Sequence, residues 1–118
     1  MEKMSGVILV AYLDSAANDL IRRQILSAGF SGEIIVSDNR DEQRRKIISY
    51  QPELIIIGTK NGGVDIIKFC QKKSSRTSIF IYSGSVNARD LAMNLCVAAF
   101  LAKPAGKDEI IEVVKGLL

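Results

Sequence analysis

The chain contains no histidine. That absence removes the commonest general base and a usual zinc ligand, so a histidine-based catalytic group and a zinc site are excluded. Cysteine is scarce. Cys70 and Cys96 stand far apart, show no metal-ligand spacing, and read as reduced helix residues with no disulfide between them. No apolar run approaches the roughly 20 residues that cross a bilayer. The opening run Val7-Ile8-Leu9-Val10 is too short and wrongly flanked for a signal peptide. A soluble, cytoplasmic protein is the expectation. The net charge of +3 is modest, and the basic clusters Arg40–Lys46 and Lys68–Arg76 lack the interleaved aromatics of a nucleic-acid face. They read as solvated helix faces.

What is present is a regular alternation. At 118 residues, 47% hydrophobic and 25% charged, the chain fits one globular domain. Val7–Ala11 is a continuous apolar run, as expected of a strand covered on both faces. Ser15–Ala28 carries Ala17, Leu20, Ile21, Ile25 and Ala28 at helical spacing, with Asp14 or Ser15 to cap it and Gly29 to close it. A short strand, Glu33–Ser37, precedes a charged helix, Asp41–Tyr50, whose main apolar anchors are Ile47 and Ile48. Pro52 starts a third strand, Leu54–Ile57, and Asn61-Gly62-Gly63 is a turn. Asp65 is the expected cap of a helix over Ile66–Lys73. Thr77–Ser83 follows as a strand, then Asn87–Cys96 as a helix with Leu91, Leu95 and Cys96 inward. Ala98–Ala102 and Lys107–Leu117 complete the set, the last helix presenting Ile110, Ile111, Val114 and Leu117 on one side. Five βα units with short connections imply an α/β fold, a doubly wound five-stranded parallel sheet with five helices on its two faces. Sites in such sheets lie at the C-terminal ends of the strands.

Several local patterns point the same way. The first strand leads through Tyr12-Leu13-Asp14 into a helix that closes at Ala28-Gly29-Phe30. The third strand is followed by Gly62-Gly63-Val64-Asp65. The fourth ends in Ser83-Gly84, and the fifth carries Phe100 before Lys103-Pro104. In this order and spacing the chain resembles the CheY-like receiver domains of response regulators along nearly its whole length. The resemblance implies a flavodoxin-like sheet of order 2-1-3-4-5. It also implies that the last helix ends where many receivers continue into an output domain, so the chain is expected to be one receiver-like domain, 1–118, which fits a piece cut from a longer regulator.

The departures from the family fall on its chemistry. Phosphorylation there needs a carboxylate nucleophile, a Mg²⁺ held mainly by acidic side chains and a cation for the phosphoryl oxygens. By this resemblance the nucleophile position is Gly58, and the acidic pair is replaced by Tyr12 and Leu13. Asp14, Ser83 and Lys103 are what remains of the pocket, with Phe100 at the position of the aromatic that moves with the hydroxyl on phosphorylation. Neither Thr59 nor Lys60 can stand in for the nucleophile, and Asp38 ends a different strand. Three aspartates at positions 12, 13 and 58 would bring the net charge from +3 to zero, so the basic balance is accounted for by the lost pocket.

The leading expectation is therefore a degenerate receiver that signals by protein contact, with no catalytic residues, no metal, no cofactor and no enzymatic activity. The resemblance places its contact face on the fourth helix, fifth strand and fifth helix, where Ala88, Met93, Val97, Ala98, Ala99 and Ala102 offer small or apolar side chains to a protein partner or a second copy. Nucleic acid is expected to be reached only through an output domain. The competing expectation is a sensor whose emptied pocket admits an anion or a flat ligand, held by Lys103, Ser83 and the loop amides around Thr59 and Gly84.

Overall fold

The computed structural model describes residues 6–118. Its elements are β1 (Val7–Val10), α1 (Ser15–Ser27), β2 (Glu33–Val36), α2 (Arg40–Tyr50), β3 (Leu54–Ile57), α3 (Gly63–Lys73), β4 (Ser78–Ser83), α4 (Ala88–Asn94), β5 (Ala99–Ala102) and α5 (Lys107–Leu117). The strands form one parallel sheet of order β2-β1-β3-β4-β5, with Val10 beside both Val36 and Ile56, and Ile57 beside Ile81. The expected fold class and strand order are those observed.

Alternation along the strands divides the core in two. Ile8, Val10, Tyr12, Ile56, Phe80 and Tyr82 face α1 and α5, where they meet Ile21, Ile25, Ile110 and Val114. Leu9, Ala11, Ile55, Ile57, Ile79 and Ile81 face the other way, onto Ile47, Ile66, Ile67, Cys70 and Ala92. The central strand β3 is Leu-Ile-Ile-Ile, all fully buried. Each such side chain contributes about 1.5–3 kcal/mol, and β-branching suits the pleated surface. At the opposite end of the sheet from the strand C-termini, Glu53 accepts the Val7 N–H at 2.6 Å and pairs with Arg76 at 2.6 Å, fastening the start of β1 to the β3–β4 region.

Helix boundaries correct the sequence reading in four places. Asp65 does not cap α3. The helix starts earlier, at Gly63, with Gly62 at the cap in the left-handed region (φ 91°), and Asp65 lies within the first turn. Gly63 must be glycine, because a Cβ there would collide with the Gly58 carbonyl oxygen. In α2 the inward residues are Gln43 and Ile47, one turn apart, while Ile48 is 53% exposed. Leu20 of α1 is likewise exposed, because Asn18, Ile21 and Ile25 define the buried stripe. Finally α4 is only two turns long, so Ala88 and Ala92 face the core at i, i+4 spacing. Cys96 lies past its end with φ 55° and is exposed, not inward as its assignment to a longer helix implied. Cys70 is buried in α3, as a helix residue should be, and both thiols are free. Burial pushes the Cys70 thiol up to about 11, with a hydrogen bond to Thr77 working against that rise.

Candidate functional site

Four strands deliver the pocket residues to one end of the sheet. The chain leaves β1 at Ala11 and Tyr12, β3 at Gly58 and Thr59, and β4 at Ser83 and Gly84. Lys103 follows β5, before a cis Lys103–Pro104 bond. Tyr12, Gly58, Thr59, Ser83, Gly84 and Lys103, together with Leu13, Asp14, Arg40 and Lys60, line an open cleft of about 310 Å³. Tyr12, Leu13, Asp14, Gly58, Ser83 and Lys103, which are distant in sequence, are thus brought together. Phe100 is not among them. It is half-buried on the α4 side of the sheet, with the Arg89 guanidinium 5.4 Å from its ring centre.

Tyr12 organises the floor. Alternation along β1 turns it onto the α1/α5 face, where it is buried, and its hydroxyl donates to the Tyr82 carbonyl oxygen at 2.6 Å. The ring passes directly beside position 58, so a Cβ added to Gly58 would sit 3.1 Å from Tyr12 Cε1. Space that a side chain at 58 would use is taken by an aromatic ring. Burial, reinforced by the neighbouring Tyr82, pushes the Tyr12 phenol well above its ordinary value, so it stays a neutral donor. The Tyr82 hydroxyl in turn accepts the Ala105 N–H at 3.2 Å, which ties β4 to the loop before α5.

Lys103 lies over both rings, its Nζ 4.4 Å from the centre of Tyr12 and 5.1 Å from that of Tyr82. Desolvation lowers its pKa, Asp14 opposes that shift and Lys60 adds to it. Aromatic faces are its direct contacts, and Asp14 is near enough to act on its charge. Asp14 itself is the helix cap, accepting the Ala16 N–H at 2.9 Å. Leu13, the residue before it, is 41% exposed at the mouth. Ser83 is buried and pairs with the Thr59 hydroxyl at 3.2 Å, while also accepting the Ser85 N–H.

A second cation was missed by the sequence reading, which placed Arg40 on a solvated face. Its guanidinium turns inward and donates to Ala11 O (3.0 Å), Lys60 O (3.0 Å), Asn61 O (3.1 Å) and Gln43 Oε1 (2.8 Å). Gln43 passes the connection on, donating to Ser37 O at 2.6 Å, and Asn18 donates to the same carbonyl at 3.2 Å. Asn18 also clasps the Tyr12 backbone in both directions, accepting from its N–H and donating to its carbonyl. The loops after β1, β2 and β3 are therefore joined by one polar network. A partial signal for it was legible: Asn18 shares the apolar stripe of Ile21 and Ile25, and Gln43 lies one turn from Ile47. A polar residue on a buried face has to find partners.

Strand order, helix placement and the cleft at the switch between β1 and β3 together decide the architecture. The fold is that of CheY-like receiver domains. NtrX from Brucella abortus superposes with a TM-score of 0.86 at 20% identity, over 98% of this chain and 26% of that one. The receiver domain of a CheY-like response regulator from Methanospirillum hungatei gives 0.82 at 19% identity, covering 98% and 93%. The receiver domain of the Francisella response regulator 1452 gives 0.80 at 22%, covering 95% of each chain. No family model and no curated protein matches the sequence. Within this receiver fold, the cleft occupies the strand ends, and Asp14 is the one carboxylate among its lining residues. No helix among the described residues is long and apolar enough to cross a membrane.

Proposed function

We propose that this chain is a receiver-like signalling domain of a two-component-type regulator that works without phosphorylation, performs no catalysis, and acts in the cytoplasm by protein contact. The observation that carries the proposal is Tyr12. Its ring crowds position 58, where a nucleophile's side chain would begin, and its hydroxyl fastens the end of β4. A phosphoryl-driven rearrangement needs an acceptor and a movable end of β4, and here position 58 offers no acceptor and the end of β4 is tied to Tyr12. Incubation with a small phosphodonor and Mg²⁺ should leave the intact mass unchanged. A stable, acid-labile adduct would end this reading.

A fixed surface remains to carry the signal, and the face built from α4, β5 and α5 is its best candidate. Met93 is 71% exposed and, with Val97, Ala99 and Phe100, borders a shallow groove of about 390 Å³. Ala88 leaves the set of candidate contacts because it is fully buried, and Ala99 packs partly against the α1/α5 core. Ala98 is exposed and makes the cleaner probe. Ala98→Asp should weaken association with a protein partner or a second copy by roughly 1–3 kcal/mol while leaving the folding midpoint in place. Chemical-shift mapping that put the contact on Arg44, Arg45 and Lys46 would favour the basic face instead.

A further inference from the structure

Charge is unbalanced in the cleft at the strand ends. Arg40, Lys60 and Lys103 line it against the single carboxylate of Asp14, which leaves a formal charge of +2. Asp14 is already engaged as a helix cap. Arg40 is surrounded by neutral oxygens only. Four of its N–H groups are used, and of the five that a guanidinium carries one, on Nη2, stays without an acceptor among the described residues. Lys103 has aromatic faces for company, and among the described residues no oxygen lies within hydrogen-bond reach of its ammonium. Lys60 is exposed, equally unpaired, and close enough to act on the charge of Lys103. Gathering three cations, two of them partly desolvated, against a single carboxylate is costly, and a bound anion would offset that cost.

The geometry also says what kind of anion. A compact tetrahedral oxyanion would need the base of the cleft, beside Gly58 and Ser83. That base is taken by the Tyr12 ring and by the paired hydroxyls of Thr59 and Ser83. The cations are instead spread around a mouth of small-molecule size, about 310 Å³, whose remaining wall includes the apolar Leu13 and Ala17. We propose that the cleft is a receptor site for a small organic polycarboxylate. Lys103 takes one carboxylate, Lys60 and the spare N–H of Arg40 take another, and the carbon skeleton lies against Leu13 and Ala17. The proposal does not rest on the contact face or on phosphorylation-independent signalling, and it can fail while those stand.

The test is a titration of the ¹⁵N-labelled domain with citrate, with inorganic phosphate and sodium chloride at matched ionic strength alongside. Citrate should give saturable shifts at the amides of Gly58–Asn61 and Gly84, with phosphate binding about tenfold more weakly and chloride giving no saturation. Lys60→Ala and Lys103→Met, which keeps the stem and drops the charge, should each lower citrate affinity at least about tenfold. Lys107→Ala, outside the cleft, should leave it unchanged. Lys60 is exposed, so its variant decides the matter even if Lys103→Met folds poorly. The proposal is overturned if citrate gives no saturable response, if phosphate or chloride reproduces its shifts with equal strength, or if Lys60→Ala binds as the parent does.

Discussion

Position 58 shows how a neighbour can crowd a residue that has no side chain of its own. Gly58→Asp supplies a carboxylate in name only. Its Cβ must push on Tyr12 Cε1 from 3.1 Å, and the ring has to give by a few tenths of an ångström against the 2.6 Å hydrogen bond that holds it to Tyr82 O. We expect the single variant to stay unphosphorylated by a small phosphodonor with Mg²⁺ and to lose about 1–3 kcal/mol in urea denaturation, from overpacking and a poorly solvated charge. Adding Tyr12→Asp and Leu13→Asp should be required before any phosphoryl adduct is seen by mass spectrometry. Efficient labelling of the single variant would mean that Asp14 alone can serve as a metal ligand and that the Tyr12 ring yields readily.

At the scale of elements, the loops around the cleft are held by side chains rather than by each other. Arg40, at the first position of α2, reaches three carbonyls that belong to the loops after β1 and β3. Arg40→Met keeps the aliphatic stem but leaves Ala11 O, Lys60 O and Asn61 O without that donor. The expected result is a loss of about 1–3 kcal/mol and faster amide hydrogen exchange confined to the β3–α3 loop, Gly58 to Gly63, and the start of α1. Uniform acceleration across the sheet would instead mark a global loss of stability, and unchanged exchange would show that the network is dispensable. The elements themselves were largely legible. Their periodicities differ, and β3 in particular is an unbroken apolar run, Leu54–Ile57, as expected. The errors lay at helix ends, in α3 and α4, because backbone caps such as Gly62 leave no side-chain signature and a left-handed residue such as Cys96 looks ordinary in sequence.

For the whole molecule, two buried groups set its response to alkali. The Cys70 thiol is pushed from an ordinary 9.0 up to about 11, and the Tyr12 phenol well above an ordinary 10.0, both chiefly by burial. In the unfolded chain each loses its proton at the ordinary value while the folded chain keeps it. Stability from these groups is thus full below those values and declines as pH rises, from 9.0 to about 11 for Cys70 and from 10.0 upward for Tyr12. Lys103 has the opposite sign. Its folded pKa is depressed, so its favourable contribution is present above the ordinary 10.5 and is lost as pH falls through the folded value. Beyond 10.5 the Lys103 contribution is constant, and only the declining contributions of Cys70 and Tyr12 still change with pH. We expect urea midpoints to fall steeply above that point, with Cys70→Ala removing the part that begins near 9 and Tyr12→Phe the part that begins near 10. Tyr12→Phe should also cost about 1–2 kcal/mol at neutral pH, for the lost bond to Tyr82 O. A flat profile up to about pH 11 would contradict the burial of both groups.

The sequence by itself determined the order of elements, the parallel sheet and the absence of a carboxylate at positions 12, 13 and 58. Strand and helix periods are local properties, and Gly58, Tyr12 and Leu13 carry no carboxylate in any conformation. What occupies the space beside position 58 was decided only by the tertiary structure. Tyr12 and Gly58 lie just past the ends of adjacent strands, and their contact depends on register, in which Val10 stands beside Ile56. Arg40 reads as one of several solvated cations until the fold brings the β1 and β3 loops to it. The same assembly buries Ala88 and exposes Cys96, because the length of α4 and its docking on β4 and β5, not its composition, fix which of its residues meet water.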